Sequence, residues 1–104
     1  MVDDFPIFVW TDSSDTVDFV PPVEGFLSST VVIPTYAGER YILFARVASA
    51  PVPTSIVLAG WEAVGQFSVV SMVDRDGVSY NVWRTSRRLS GELYSGRNLT
   101  VRSA

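Results

Sequence analysis

The segment VVSMVDRDGVSYNVW, residues 69–83, decides the fold. Two runs rich in Val, Met, Tyr and Trp flank Asp74-Arg75-Asp76-Gly77. β-Branched and aromatic residues suit a pleated, half-buried surface. Asp opens a type I turn by bonding the backbone two residues on, and Gly77 supplies the positive φ needed to enter the second strand. The segment therefore reads as a β-hairpin. Strand side chains alternate, so Tyr80 and Val82 share one face and Asn81 and Trp83 the other. With Tyr80 and Val82 toward the core, Trp83 faces away from it, beside Asn81 and Thr85. The stretch SYNVWRTSRR then ends in positive charge at Arg84, Arg87 and Arg88.

The same punctuation recurs along the chain. Strands are expected at about 6–11, 28–34, 40–48, 55–61, 65–73, 78–85 and 98–102, with weaker candidates at 16–20 and 88–94. Loops fall at 21–25, 35–39, 49–54 and 95–98. The nearest approach to a helical pattern is IVLAGWEAVGQ, residues 56–66, but two glycines and a β-branched start favour strand and turn. At 104 residues the chain is one domain. The expected fold is all-β: a small antiparallel β-sandwich or jelly-roll-like domain over 1–104, with little or no helix. Residues 1–20 are a candidate extended acidic N-terminal arm.

Several strands are apolar on both faces. In RYILFARVA, Tyr41, Leu43, Ala45 and Val47 oppose Ile42 and Phe44. In QFSVVSMV, Phe67, Val69 and Val73 oppose Val70 and Met72, and in FPIFVW, Phe5, Ile7 and Val9 oppose Phe8 and Trp10. Strands of this kind are covered on both sides. The second cover is either a neighbouring subunit or the chain's own N-terminal strand and loops.

Composition removes much chemistry. There is no Cys and no His, and all eight basic residues are Arg. Disulfides, thiolate metal sites, imidazole bases, Schiff bases and Ser-Lys dyads are excluded. No cofactor and no metal is expected. Asp74 and Asp76 are close in sequence, but the turn itself accounts for them, and DRDG offers too few oxygens for calcium. No enzymatic activity is expected. The charge is uneven: residues 1–39 carry seven acids and no base, and residues 40–104 carry eight Arg against four acids, formally −7 and +4 and together the −3 of the chain. The acidic segment is expected to meet the arginines, within one subunit or across a subunit contact. A pI near 4.7 and dispersed arginines argue against nucleic-acid binding. No apolar run reaches the roughly 18 residues of a membrane helix, so no membrane insertion is expected. The opening MVDDF has acids where a secretion signal has bases, which points to synthesis in a cytoplasm.

The candidate ligand or interface residues are Trp83, Tyr80, Arg84, Tyr94 and Trp10. Rings stack on sugars and on each other, guanidinium forks pair with carboxylates, and the same residue types are enriched at subunit contacts.

From about residue 40 onward the chain resembles a module of tailed-phage virion proteins. The resemblance lies in RYILFARV, in SIVLAGW, in GQF, in the D-G hairpin leading into VSYNVWRT, and in the closing LTVRSA. It implies an oligomeric β-sandwich serving in assembly, capsid decoration or host recognition, and it brings no catalytic residues. The expected function is thus a non-enzymatic structural subunit of a phage virion (tail fibre, tail tip, baseplate or head decoration), self-associating and contacting other virion proteins, made in the host cytoplasm and located in the virion. One alternative is a module binding a host-surface glycan or receptor through Trp83, Tyr80 and Arg84. Another is a small phage-encoded inhibitor of a host protein, using the acidic stretch DDFPIFVWTDSSD.

Overall fold

The hairpin forms where the sequence places it, with a tighter turn. The computed structural model describes residues 6–15 and 30–102. Its strands are β1 (Ile7–Asp12), β2 (Thr30–Val32), β3 (Glu39–Val47), β4 (Ser55–Leu58), β5 (Trp61–Glu62), β6 (Phe67–Arg75), β7 (Val78–Thr85), β8 (Leu89–Ser90) and β9 (Asn98–Arg102). A 3-10 turn spans Val64–Gln66, and a single helical turn, α1, spans Gly91–Tyr94. The expected strand at 16–20, the first residues of 28–34 and the loop at 21–25 lie outside the described residues. The region 88–94 is not a strand throughout: β8 is two residues long, and Ser90 then caps α1 by accepting from the Glu92 N–H.

Arg75 pairs with Val78, leaving only Asp76 and Gly77 in the loop, at φ 52° and 79°. Two positive φ values make a type I′ turn, whose twist matches that of the strands, and Asp and Gly are among its preferred residues. Asp74 therefore lies within β6 and does not open the turn; its carboxylate accepts from the Ser79 hydroxyl.

All pairings are antiparallel. One sheet runs β1-β3-β7-β6, with β8 beside the start of β3, and the other runs β2-β9-β4-β5. The two pack face to face. Ile7, Val9, Ile42, Phe44 and Phe67 from the first sheet meet Val31, Ile56, Leu58, Leu99 and Val101 from the second in one buried core. The fold is a small antiparallel β-sandwich.

The alternation read along β1 and β3 holds. Phe8, Tyr41, Leu43 and Ala45, with Val82, form a second buried cluster on the outer face of the first sheet. These residues are buried within a single chain, so this two-faced character calls for no neighbouring subunit. Two readings are corrected. Tyr80 and Val82 belong to the outer cluster, whereas Trp83 packs against the main core between the sheets. The orientation is the reverse of the expected one because both faces of the sheet are apolar, and alternation alone does not say which meets the second sheet. In β6 the register shifts between Val69 and Ser71, so two residues stand opposite Val82. This β-bulge moves Val73 to the outer cluster with Val70, and it puts Met72, opposite Asn81, on the inner face with Phe67 and Val69. Of the expected acidic arm over 1–20, residues 7–12 form strand β1 of the first sheet, and residues 1–5 and 16–20 lie outside the described residues.

Candidate functional site

Three regions carry chemistry beyond packing. The first is where the chain leaves β1. Arg40 donates to the Thr11 carbonyl at 3.0 Å, Arg88 to the Ser13 carbonyl at 2.8 Å, and Arg84 to the Asp15 carbonyl at 3.1 Å. Alternate carbonyls of the segment leaving β1, which bends at residues 13–15, are thus held by three guanidinium groups. Tyr41 lies beneath them, with Arg84 at 4.3 Å and Arg88 at 4.9 Å from its ring centre. The Tyr41 hydroxyl donates to Asp15 Oδ1 at 2.7 Å, and Arg88 approaches the same oxygen at 3.4 Å. The Tyr41 hydrogen bond, then the Arg88 and Arg84 charges, hold the Asp15 carboxyl below the usual aspartate range. The same bond, with burial, raises the Tyr41 hydroxyl above its ordinary value. For Asp15, the acidic segment meets the arginines within one subunit. A carboxylate held ionised, a protonated phenol and engaged guanidiniums make a fastening, not an acid–base pair.

The second region is the free side of β6. Among the described residues no strand pairs with its outer edge. On its inner face Val69 is 48% exposed and Met72 64%, although both share that face with the core residue Phe67. Beside them, between β7 and the 47–53 loop, a groove is lined by Arg46, Asn81, Trp83, Pro51 and Val52.

The third region is a cleft between the β4–β5 hairpin and the residues after β7, lined by Trp61, Gln66, Ser86 and Arg87. Trp61 is 41% exposed. Its neighbour Glu62 is occupied structurally: the carboxylate accepts from the Ser55 hydroxyl at 2.7 Å and from the Ile56 and Val64 N–H groups at 2.9 and 3.3 Å. Those bonds, that from Ser55 foremost, lower its pKa and tie the hairpin to the 3-10 turn.

The residues singled out from sequence do not form one surface. Trp83 lies flat on Phe44 between the sheets. Tyr80 is on the opposite face, edge-on to Phe8 with ring centres 5.6 Å apart. Arg84 and Trp10 share that outer side, over Tyr41 and against the outer cluster respectively. Tyr94, on α1, packs against the main core. Grouping Trp83 with Tyr80 and Arg84 is thus corrected, since adjacent strand residues point to opposite faces. Trp61, Val69 and Met72 were missed. The long apolar β6 beside a hairpin was a signal for an edge, but its exposed side becomes visible only once the bulge is known.

Among the described residues no group of three or more Asp and Glu side chains is placed to hold a metal ion. No described helix is long and apolar enough to cross a membrane. No protein-family model matches the chain, and no curated protein or solved structure matches it either.

Proposed function

We propose that the protein is a non-enzymatic structural subunit of a phage virion that acts by self-association. The virion setting rests on the likeness of residues 40–104 to tail, fibre and baseplate-associated modules, and it leaves the tail-fibre, tail-tip, baseplate and head-decoration positions equally open. The observation that supports self-association is the apolar edge: Val69 and Met72 stand exposed on a nine-residue strand that pairs with β7 on one side and with no described strand on the other. Exposed strand edges are templates for pairing with another chain, and proteins that stay monomeric blunt them with charged residues, Pro, β-bulges or very short strands. β6 has no Lys or Pro and is not short; its bulge and the inward-facing Asp74 limit pairing to short runs, and the exposed Val69 and Met72 lie on either side of that bulge. Light scattering on a sizing column across a concentration range tests the reading. A mass that rises above one chain supports it, and a monomer at the highest concentration overturns it.

A second reading, a glycan-binding module, is favoured by Trp61 rather than by Trp83. One face of Trp83 is taken by Phe44, whereas Trp61 is exposed beside Gln66, Ser86 and Arg87. An indole face for sugar C–H groups with amide, hydroxyl and guanidinium donors nearby suits an acidic saccharide. Titration calorimetry with acidic oligosaccharides should give a saturable heat that Trp61→Ala abolishes. No heat with the native chain removes this reading. The inhibitor reading loses its ligand in part, because residues 7–12 of the acidic stretch are built into the first sheet.

A further inference from the structure

We propose that two copies of this chain join β6 to β6, antiparallel about a twofold axis perpendicular to the sheet. Val69 of each then meets Met72 of the other, and Asp76 of each comes within reach of the Arg87 side chain of the other. The proposal rests on the self-association reading and gives it a surface and a register.

The bulge sets the register. Cross-strand partners share a face of the sheet. Along β6, Phe67, Val69, Met72 and Asp74 project to the inner face, and Ser68, Val70, Ser71 and Val73 to the outer face. From 67 to 74 the order is in, out, in, out, out, in, out, in. Without the bulge this would be plain alternation, with several registers available two residues apart. With it the pattern is a palindrome centred between Val70 and Ser71. Only one antiparallel self-pairing keeps every partner on a common face: Phe67 with Asp74, Ser68 with Val73, Val69 with Met72 and Val70 with Ser71. A slip by one or two residues sets inner against outer side chains within the paired run. The matching register brings the two exposed apolar residues of each copy into one four-residue cluster on the inner face. The bulge interrupts the ladder at its centre, leaving a short paired run on either side.

Charge agrees with the same register. The turn holds Asp76, whose side chain is almost fully exposed and only 3.9 Å from the Arg75 guanidinium. At the other end of the hairpin, Ser86 donates its N–H to the Gln66 carbonyl, and the exposed Arg87 follows. Within one chain these ends are about 30 Å apart, at roughly 3.3 Å per strand residue. In the antiparallel pair, the turn of one copy lies against residues 65–66 of the other, with Arg87 on the far side of that segment; two strand spacings, about 10 Å between backbones, separate Asp76 from Arg87, which the long arginine side chain can span, once on each side of the axis. A twofold contact uses the same patch on both copies and closes at two. The product is a continuous sheet in the order β1-β3-β7-β6-β6-β7-β3-β1. An edge contact of this kind falls at the small end of interface sizes, below about 1,200 Å², so the dimer is concentration dependent.

Sedimentation equilibrium on the full chain tests the pairing. Met72→Lys and the milder Val69→Thr are on exposed side chains, and unchanged circular dichroism and Tm verify that each variant folds. The native chain is expected to form a dimer whose midpoint moves to about tenfold higher concentration in Met72→Lys. Asp76→Asn keeps a residue that tolerates the turn. It and Arg87→Gln should each weaken the dimer by about threefold, non-additively, and added salt should mimic them. A dimer indifferent to all four substitutions overturns the β6 pairing while leaving self-association through another surface. A native chain that stays monomeric removes both.

Discussion

The indole of Trp83 lies flat on the ring of Phe44, with centres 5.9 Å apart and planes within 4° of parallel. Phe44 in turn meets Phe67 at 5.5 Å, so three aromatic rings from β3, β6 and β7 tie the first sheet together beneath the second. Stacked pairs add to the area they bury. Trp83→Ala is therefore expected to destabilise the monomer itself by about 3 kcal/mol, near the lower end for a large aromatic truncated in a core. Urea unfolding of a dilute sample decides: a Trp83→Ala chain with unchanged midpoint would show that the stack contributes nothing.

Gly91 admits no side chain. A Cβ there would collide with the Tyr36 carbonyl oxygen, while the Gly91 N–H donates to the Gly38 carbonyl at 2.8 Å. Both obstacles are backbone, so relief requires α1 and the 36–38 loop to part. Gly91→Ala is expected to cost about 3 kcal/mol, a fall in Tm on the order of 15 °C for a domain of this size. A thermal scan matching the native chain would mean the two segments separate freely.

Acid should loosen the fastening after β1. The folded-state pKa of Asp15 is depressed, so its contribution is present above the ordinary value of 3.8 and is lost as pH falls through the folded value. Glu62 behaves alike from 4.5 downward. Tyr41 is raised, so its contribution is present below 10.0 and is lost as pH climbs through its folded value. Asp15 and Glu62 are at the surface, and their effects are small and salt-sensitive. Unfolding midpoints against pH should fall less steeply on the acid side in Asp15→Asn. On the alkaline side the loss should shrink in Tyr41→Phe. Identical profiles in native and variant chains would remove the role given to this pair.

Strands β1, β2, β3, β4, β6, β7 and β9 were legible in the sequence because β-branched and aromatic runs are bounded there by Gly, Pro and Asp. The two faces of β1 and β3 were legible too, through strict alternation. β6 was misread beyond Val69, since a bulge leaves no mark in a run of Val, Ser and Met. Trp83 was placed on the wrong side because neither face of its sheet is polar. The Asp15–Tyr41–Arg88 cluster was foreseen only as opposite charge somewhere in one subunit. Its main bonds run to backbone carbonyls, which every residue has and no motif records.

That last property reaches beyond the fold. Arg40, Arg88 and Arg84 grip the carbonyls of Thr11, Ser13 and Asp15, and a carbonyl is the same whatever side chain accompanies it. Related chains can therefore vary at positions 11 and 13 without loosening the anchorage. The arginines have less latitude: at Arg84 and Arg88 a lysine offers a point charge where a planar fork reaches both an oxygen and the Tyr41 ring. Divergence in this stretch is expected to be lopsided, free on the strand that is held and frozen on the residues that hold it.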